Sequence, residues 1–329
     1  MIRYFLPFTD YPYTGMQVDC PVCGSTNHSQ LLNLDRKLKR LPTEFCSDCG
    51  LFYTNPMPTN EELADYYAAV YRAEYQFAFR GPRKTHINKK NREALRRSDR
   101  IASLLGTGRT LKTLDFGCGS GELVRHLASL GHAAEGFEPG VTYSTHASDH
   151  VLHGTDDKSV EAEQTGTVAA TPTIHAGTWH EMTFAPGGFD LITFLHVLEH
   201  LNEPVAALKK VKEWLSPTGV LYVETPDMQG YQYKGFERFH FAHVLGFSRA
   251  NLMLAAKTAG FGLLHEDGPT SFFLVHREDP RAKAFEFDLQ KTVDENRSEY
   301  GAQTDLAAYL SYHWGRVGRM VKTELKQGR

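Results

Sequence analysis

Four of the five cysteines occur as two short pairs. The pairs are Cys20-Pro-Val-Cys23 and Cys46-Ser-Asp-Cys49, and a glycine follows each of them. Two intervening residues allow one tight turn to present both thiolates to a tetrahedral Zn²⁺ ion at about 2.3 Å. The spacing therefore predicts a tetrathiolate zinc site at Cys20, Cys23, Cys46 and Cys49, which is structural because no coordination position stays open. Four reduced cysteines in a core are the alternative.

A glycine-rich segment, Asp115-Phe116-Gly117-Cys118-Gly119-Ser120-Gly121, stands where a predicted strand gives way to a predicted helix. Ligands of open α/β sheets bind at such strand ends, and glycines let the backbone approach a ligand closely. The dinucleotide-binding pattern fails because Glu122 occupies the third glycine position, and an acidic side chain there repels a pyrophosphate. The expected ligand is a cationic nucleoside rather than a nicotinamide dinucleotide.

An acidic residue, Glu138, ends the next predicted strand in the segment Glu135-Gly136-Phe137-Glu138-Pro139. A carboxylate about 20 residues beyond a glycine loop is placed to accept two hydrogen bonds from ribose hydroxyls. The alternative role of Glu138 is a favourable charge at a helix N-terminus.

Histidine is unusually frequent, with 16 in the chain. His196, Glu199 and His200 have the i, i+3, i+4 spacing of one helical face, and they follow a predicted strand. His243 begins the downstream segment His-Val-Leu-Gly-Phe-Ser. A neutral imidazole with a pKa of about 6.5 suits the removal of a proton from a hydroxyl group. The alternative role of His200 and His243 is to tie loops together.

The elements that position these residues are predicted from alternating strand and helix patterns after residue 110. This alternation predicts a doubly wound, mostly parallel α/β sheet with helices on both faces and a short antiparallel hairpin at its end. The predicted strands are 111–116, 133–138, 189–195, 220–224, 261–265 and 271–275. The predicted helices are 122–130, 205–215 and one that Ser248 caps and that runs to about Ala259.

Four blocks between about 110 and 226 follow one another in the order found in one enzyme family; they are DFGCGSG, GFEPG, FDLITFLHVLEHL and SPTGVLYVETP. On these blocks the chain resembles class I S-adenosylmethionine-dependent methyltransferases. With the two cysteine pairs in front, it is similar to zinc-ribbon methyltransferases that modify sugars, polysaccharides and natural products. The resemblance implies a Rossmann-like, seven-stranded, mostly parallel sheet with a small zinc ribbon and helical additions. The implied cofactors are S-adenosylmethionine and a structural zinc ion.

The resemblance also implies which residues bind the cofactor. The glycine loop holds the methionine and ribose portions, Glu138 binds the ribose diol, and the segment 177–179 stands at the adenine position. Many relatives have an acid at that position, and this chain lacks one there. Leu195 and His196 face the methionine amino group and the reacting methyl. The implied cofactor-binding residues are Asp115, Gly117, Gly119, Gly121, Glu138, Thr178, Trp179 and Leu195.

From this resemblance we expect O-methylation of a sugar-like or natural-product small molecule, with His196 as general base and His200 and His243 in the catalytic set. In a competing mechanism, which we favour less, Glu199, His200 and His243 bind a divalent ion.

One alternative function is metal-assisted 2′-O-methylation of RNA, because HVLEH with His243 is similar to the E-x-x-E-H set of small-RNA terminal methyltransferases. In that set a glutamate stands where this chain has His196. Another alternative is a non-catalytic zinc-ribbon interaction protein with a degenerate cofactor domain.

Tyrosines and basic residues are concentrated between the cysteine pairs and the sheet. A capping box at Thr59 and Glu62 starts a helix. For Tyr71 and Tyr75, which follow, core packing is the commoner role, and the resemblance implies a lid over the cofactor as the other. The segment from residue 80 to residue 100 contains nine Lys and Arg residues and only two acidic residues. This segment is either a solvated helix face or a positive rim that attracts an anionic acceptor.

Composition limits the remaining possibilities for the chain. The 329 residues are 41% hydrophobic and 23% charged, which predicts a sizeable core. A net charge of −3 argues against a protein that coats nucleic acid. No apolar run approaches the roughly 18 residues that a membrane-spanning helix needs. The beginning of the sequence does not resemble a secretory signal. We expect a cytoplasmic protein of undefined oligomeric state. The expected organisation is a zinc ribbon at 1–57, a helical lid or linker at 58–110, a methyltransferase domain at 111–275 and a helical extension at 276–329.

Overall fold

The structure is a computed structural model that describes most of the chain. The predicted lid residue Tyr75 lies outside the described residues. The described residues are 9–71, 84–140, 144, 147, 171–229, 238–301, 310, 311 and 314.

The N-terminal module is a four-stranded antiparallel sheet with the order β1-β2-β3-β9. Its strands are β1 (His28–Leu34), β2 (Arg40–Cys46), β3 (Phe52–Thr54) and β9 (Leu245–Gly246). Three of these strands are consecutive in the chain, whereas β9 comes from far downstream. Leu245 pairs with Tyr53, and Gly246 pairs with Phe52. The small sheet is therefore completed by a segment that lies between two strands of the large sheet, residues 215–224 and 261–268, in the sequence.

The larger sheet has seven strands in the order β10-β11-β8-β7-β4-β5-β6. The strands are β4 (Lys112–Phe116), β5 (Ala133–Glu138), β6 (Thr173–Ala176), β7 (Phe189–Leu195), β8 (Leu215–Glu224), β10 (Phe261–Gly268) and β11 (Ser271–His276). Strands β4 to β8 pair in parallel, while β11 pairs antiparallel with both β8 and β10. This arrangement confirms the predicted fold class and the predicted hairpin at the end of the sheet.

Six α-helices lie among the described residues. They are α1 (Asn60–Ala69), α2 (Lys84–Leu105), α3 (Glu122–Ser129), α4 (Pro204–Trp214), α5 (Arg249–Thr258) and α6 (Leu289–Gly301). The predicted capping box begins α1, since Thr59 Oγ1 accepts from the Glu62 backbone N–H and Glu62 accepts from the Thr59 N–H. Ser248 and Asn251 form a second capping box at α5. None of these helices is both long enough and apolar enough to cross a membrane.

The central strands of the large sheet are buried along most of their length. Phe116, Ile192, Phe194 and Val223 are each at most 2% exposed, because helices cover both faces of a parallel sheet. One continuous apolar core contains these residues together with Cys20, Cys46 and Cys49. The zinc-ribbon module and the seven-stranded sheet therefore share a core.

The predicted helical extension at 276–329 is helical in part. Residues 277–288 form turns and irregular structure, and the helix α6 begins only at Leu289. Asn296 on α6 donates through Nδ2 to the Gly50 carbonyl oxygen at 2.9 Å, so this helix packs on the second cysteine turn.

Candidate active site and zinc site

The four predicted zinc ligands converge at one end of the N-terminal sheet. Cys20 Sγ lies 3.6 Å from Cys49 Sγ, and Cys23 Sγ lies 3.5 Å from Cys46 Sγ. All four sulfur atoms lie within 4.8 Å of one another, and no disulfide joins them. Tetrahedral bonds of about 2.3 Å place thiolates about 3.8 Å apart. The spacing therefore fits a tetrathiolate zinc ion.

Glycines shape the turn after each cysteine pair. Gly24 and Gly50 have φ values of 73° and 75°, in the left-handed region that other residues avoid. Their N–H groups donate to the carbonyls of Cys20 and Cys46 at 2.8 and 2.9 Å. Each turn thus closes on the first cysteine of its pair.

The glycine loop after β4 adopts the open conformation that a ligand cradle needs. Gly117, Gly119 and Gly121 have φ values of 69°, 58° and 81°. A Cβ at Gly119 would meet no atom within 4 Å, whereas a Cβ at Gly117 would lie 2.8 Å from a methyl of Val197. Gly119 therefore faces open space beside the strand end, and Gly117 packs closely against the segment that follows β7.

Asp115, at the end of β4, is buried and accepts a hydrogen bond from Thr193 Oγ1 at 2.6 Å. Thr193 stands opposite Asp115 in the parallel β4–β7 pair. Burial raises the pKa of Asp115 to about 6, against the opposing effect of the Thr193 hydrogen bond. The structure thus holds a buried carboxylate, ionised at pH 7, at the base of the loop.

Glu122, which excludes the dinucleotide pattern, is also buried. Its carboxylate accepts a hydrogen bond from Ser120 Oγ at 2.6 Å, and burial raises its pKa. The acidic side chain is held inside the first turn of α3 at the position where a dinucleotide-binding protein has glycine.

Glu138 ends β5 with its carboxylate next to the glycine loop. Its Oε2 accepts from the Gly119 N–H at 3.1 Å, and its Oε1 accepts from the Gly140 N–H at 3.3 Å. The expected ribose-binding acid and the expected cradle are therefore in direct contact. In this unliganded chain the acid braces the loop.

An acid that sequence reasoning missed contacts the predicted adenine segment. Glu181 Oε2 accepts from the Thr178 N–H at 2.6 Å and from Thr178 Oγ1 at 2.9 Å. A carboxylate three residues downstream of Thr178 thus braces this segment. The ring of Trp179 lies 3.7 Å from that of His180, and Leu195 is half-buried against two apolar clusters.

His196 directly follows β7 and has a φ of 55°. Its Nε2 lies 2.8 Å from Glu224 Oε1, its Nδ1 lies 3.6 Å from Glu199 Oε1, and its side chain is 37% exposed. Burial lowers the pKa of His196, but the interactions with Glu199 and Glu224 outweigh it and raise the pKa to about 9. The imidazole is therefore protonated at neutral pH, unlike the neutral imidazole that the sequence suggests.

Glu224, at the end of β8, was not predicted from the sequence. Burial raises its pKa, but the hydrogen bonds from His196 and Arg97 outweigh burial and hold the pKa below its ordinary value. Arg97 Nη2 donates to Glu224 Oε1 at 2.7 Å. Glu224 therefore stays ionised and fixes the imidazole of His196.

The predicted histidine and glutamate cluster forms, although not on an α-helix. Residues Leu198–His200 make one 3₁₀ turn, and His196 lies outside it. Glu199 Oε1 lies 3.8 Å from His200 Nε2 and 4.0 Å from His243 Nε2. Burial lowers the pKa of His243 well below its ordinary value. The structure thus brings together all three predicted histidines around one buried carboxylate.

Two tyrosines of the predicted lid border this cluster. Tyr67 Oη lies 2.7 Å from His200 Nδ1, and the Tyr71 ring lies 5.8 Å from the His200 ring. Both tyrosines are half-buried. Tyr71 therefore stands at the histidine cluster, while Tyr75 lies outside the described residues.

The described part of the basic segment is largely paired with acids. Arg100 Nη1 lies 2.9 Å from Asp267, and Lys90 Nζ lies 2.9 Å from Glu93. Arg97 binds Glu224. These ion pairs lower the positive charge that the segment can offer to an anionic acceptor, because three of its cationic side chains are paired with carboxylates of the protein itself.

The fold and the site together define a class of protein. A glycine loop after the first parallel strand, an acid at the end of the next strand and a seven-stranded sheet closed by an antiparallel hairpin are the features of class I S-adenosylmethionine-dependent methyltransferases. Residues 86–266 match the family described as a methyltransferase domain. The chain belongs to this family and is an S-adenosylmethionine-dependent methyltransferase.

Curated relatives match about a third of the chain. A ubiquinone biosynthesis O-methyltransferase of Parvibaculum lavamentivorans is 32% identical over 119 residues, which are 35% of this chain and 40% of that protein. A protein of the same name from Pseudomonas aeruginosa is 29% identical over 117 residues, 35% of this chain and 44% of that protein. The chain thus spans about two fifths of the length of the curated relatives that it matches.

Two solved structures to which the chain is similar have different names. A magnesium protoporphyrin IX methyltransferase from Synechocystis with bound S-adenosylmethionine has 19% identity and a TM-score of 0.43, covering 64% of this chain and 93% of that one. The [4+2]-cyclase SpnF has 16% identity and a TM-score of 0.47, covering 78% of this chain and 90% of that one.

Proposed function

We propose that the protein methylates a hydroxyl group of a sugar-like or natural-product small molecule. The observation that supports this most directly is the placement of His196. Its partly exposed imidazole stands at the end of β7, beside the β4 glycine loop, with its Nε2 fixed by Glu224. A proton-accepting group next to the cofactor cradle is what hydroxyl methylation needs. The curated relatives, which are named O-methyltransferases, support the same acceptor atom.

Different residues of the chain bind the cofactor and act on the acceptor. S-adenosylmethionine supplies an electrophilic methyl group when bound. Gly117, Gly119 and Gly121 let the backbone approach it, Asp115 places a carboxylate at the base of the loop, and Glu138 offers two oxygens to the ribose diol. On the acceptor side, His196 takes the hydroxyl proton once its own proton has left, and Glu224 keeps the imidazole in place.

The tyrosines support an acceptor that contains a ring. Tyr67 and Tyr71 are half-buried beside His200, with their rings 4.9 Å apart and tilted by 62°. Aromatic faces bind other aromatic rings and the apolar faces of sugars. We therefore propose that the acceptor ring packs against this pair of tyrosines, with its hydroxyl toward His196.

An acceptor panel tests the proposal. The full chain is incubated with S-adenosylmethionine and with matched sets of sugars, nucleotide sugars and phenols, and release of S-adenosylhomocysteine is followed. Mass spectrometry of the products then locates the new methyl group. We expect methylation of a hydroxyl oxygen in at least one set. Methylation only of carbon or nitrogen would contradict the proposal.

A short RNA with a free 2′-hydroxyl at its 3′ end belongs in the same panel. Methylation of this RNA in preference to every small molecule would favour the RNA-directed alternative over the proposed function. Salt dependence supplies a second criterion, because affinity for RNA falls steeply with ionic strength and affinity for a neutral sugar does not.

A further inference from the structure

Glu199 is a buried carboxylate that the described part of the chain does not satisfy. Its side chain is 1% exposed, and neither Oε1 nor Oε2 has a hydrogen-bond partner among the described residues. A buried carboxylate without hydrogen bonds or a bound cation is strongly disfavoured. The nearest imidazole, that of His196, is hydrogen-bonded to Glu224 through Nε2, and its Nδ1 lies 3.6 Å from Glu199 Oε1, which is too far for a hydrogen bond. The environment of Glu199 therefore points to a missing ligand.

Two further imidazoles face the same carboxylate oxygen. His200 Nε2 and His243 Nε2 lie 3.8 and 4.0 Å from Glu199 Oε1. These distances are too long for hydrogen bonds. They lie within the roughly 4.2 Å that two bonds of about 2.1 Å to one metal ion can span. Glu199, His200 and His243 each offer one ligand atom, and the three atoms lie within 4.8 Å of one another.

The hydrogen bonds of His200 set its tautomer for metal binding. His200 Nδ1 lies 2.5 Å from the carbonyl oxygen of Ala242, which can only accept. Nδ1 therefore carries the proton, and Nε2 directs a lone pair toward Glu199. Tyr67 Oη also lies 2.7 Å from Nδ1 and donates to the same carbonyl at 2.8 Å. Carbonyl and hydroxyl partners on the distal nitrogen are typical of metal-binding histidines.

The third ligand is placed by the N-terminal module. The Thr54 N–H donates to the Val244 carbonyl at 2.8 Å, and Leu245 pairs with Tyr53. Both contacts fall within two residues of His243, whose side chain is 6% exposed. The segment that presents His243 is thus held by β3, although it lies more than 40 positions after His200 in the chain.

We propose that Glu199, His200 and His243 bind a divalent transition-metal ion on the acceptor side of the cofactor pocket. Two imidazoles and one carboxylate are the ligands of catalytic zinc sites that keep an open position, and imidazole also suits iron, nickel and copper. An ion here lies next to His196 and can polarise an acceptor hydroxyl. That catalytic role rests on the proposed function, whereas the binding site does not.

Cobalt titration of the metal-depleted full chain tests the site directly. Co²⁺ in a tetrathiolate site gives an intense sulfur-to-metal absorption, and Co²⁺ bound by nitrogen and oxygen does not. We expect two equivalents in the wild type, one at the cysteines and one without thiolate absorption. Glu199→Gln, which conserves size, should lose the second equivalent and keep the first. The retained thiolate absorption shows that the variant is folded.

Two more variants sharpen the result. Tyr67→Phe should weaken the second equivalent by about 10–100-fold, as loss of an outer partner does. The matched control His180→Ala, on an exposed histidine paired with Glu203, should bind two equivalents with wild-type affinity. One equivalent in the wild type, or a second equivalent that survives Glu199→Gln, would overturn the site. Methylation of no acceptor would instead overturn the proposed function and leave the metal count unaffected.

Discussion

The carboxylate of Asp115 lies inside the protein at a cost to folding. Burial raises its pKa to about 6, from about 3.9 in an unfolded chain. Because each unit of pKa shift corresponds to about 1.4 kcal/mol, the ionised side chain lowers the free energy of unfolding by about 3 kcal/mol at pH 7. Such a residue is retained for binding rather than for stability.

Asp115→Asn is expected to raise the free energy of unfolding at pH 7 by about 1–3 kcal/mol while weakening S-adenosylmethionine binding. The gain has a defined pH dependence. The penalty in the wild type is complete above the folded pKa of about 6 and disappears as the pH falls toward 4, so the difference should close over that interval. Urea denaturation and calorimetry measure the two effects. The exposed control Asp99→Asn should change neither.

His196→Ala is expected to lower kcat by about 10²–10⁴-fold, because it removes the proposed proton acceptor. Its affinity for S-adenosylmethionine should stay within about twofold, since the glycine loop and Glu138 are unchanged. Steady-state kinetics and calorimetry separate these quantities. A variant that keeps full turnover would exclude His196 as the base, and His180→Ala serves as the exposed histidine control.

Local spacing predicts the cysteine ligands and the glycine loop, because both need residues only a few positions apart. It does not predict Glu224, which reaches His196 only through the register that pairs Leu195 with Glu224 in the β7–β8 ladder. It also misses Glu181, because the acid approaches Thr178 through a turn rather than from the expected position. When strand register or a turn brings two residues together, the number of positions between them in the sequence does not indicate the contact.

At the scale of elements, β9 depends on a glycine. A Cβ on Gly246 would overlap the ring of Phe52 on the paired strand. That ring cannot move aside easily, because it packs against Phe239 and Tyr300 at centroid distances of 4.9 and 5.1 Å. The close approach of β3 and β9 therefore requires the residue without a side chain.

Gly246→Ala is expected to lower the free energy of unfolding by about 1–3 kcal/mol, as overpacking in a core does. Because His243 lies three residues before Gly246, the variant should also lower kcat more than it changes cofactor affinity. Thermal denaturation and kinetics measure both effects. Gly108→Ala, where a Cβ meets no atom within 4 Å, is the matched control. An equal loss in both variants would contradict this explanation.

Some strands can be predicted from the sequence with their correct bounds, and others cannot be predicted at all. The strands β5 and β7 are predicted with the bounds that the structure shows, because apolar runs in a buried parallel sheet are distinctive. The strands β1 and β6 are missed, since their residues are mostly exposed or half-buried and lack an apolar run. The two-residue strand β9 is missed because its only pairing partner lies far away in the chain.

At the scale of the whole molecule, the zinc ribbon and the methyltransferase sheet are joined by hydrogen bonds as well as by their shared core. Asn251 on α5 donates to the Cys49 carbonyl, and Asn296 on α6 donates to that of Gly50. Two side-chain amides thus connect the second cysteine turn to distant helices. Together with β9, these contacts couple the metal site to the segment that carries His243.

The double variant Cys23→Ser/Cys46→Ser is expected to lose the tetrathiolate zinc and most acceptor methylation, because β3 no longer holds the His243 segment. Affinity for S-adenosylmethionine should stay within a few-fold of the wild type, since the β4 loop follows a strand of the seven-stranded sheet and not of the cysteine-bearing sheet. Elemental analysis, kinetics and calorimetry measure the three quantities. Full methylation without zinc would contradict the coupling.

The late strand β9 also has a consequence for synthesis on the ribosome. Residues 52–54 are made about 190 positions before residues 245–246, which is roughly 10–40 s at 5–20 residues per second. During that interval the ribbon can already hold its zinc ion, yet one edge of β3 has no native partner. An open strand edge invites pairing with other chains, and a strand of three residues limits that hazard. The nascent chain thus completes its first module only after most of its second has been translated.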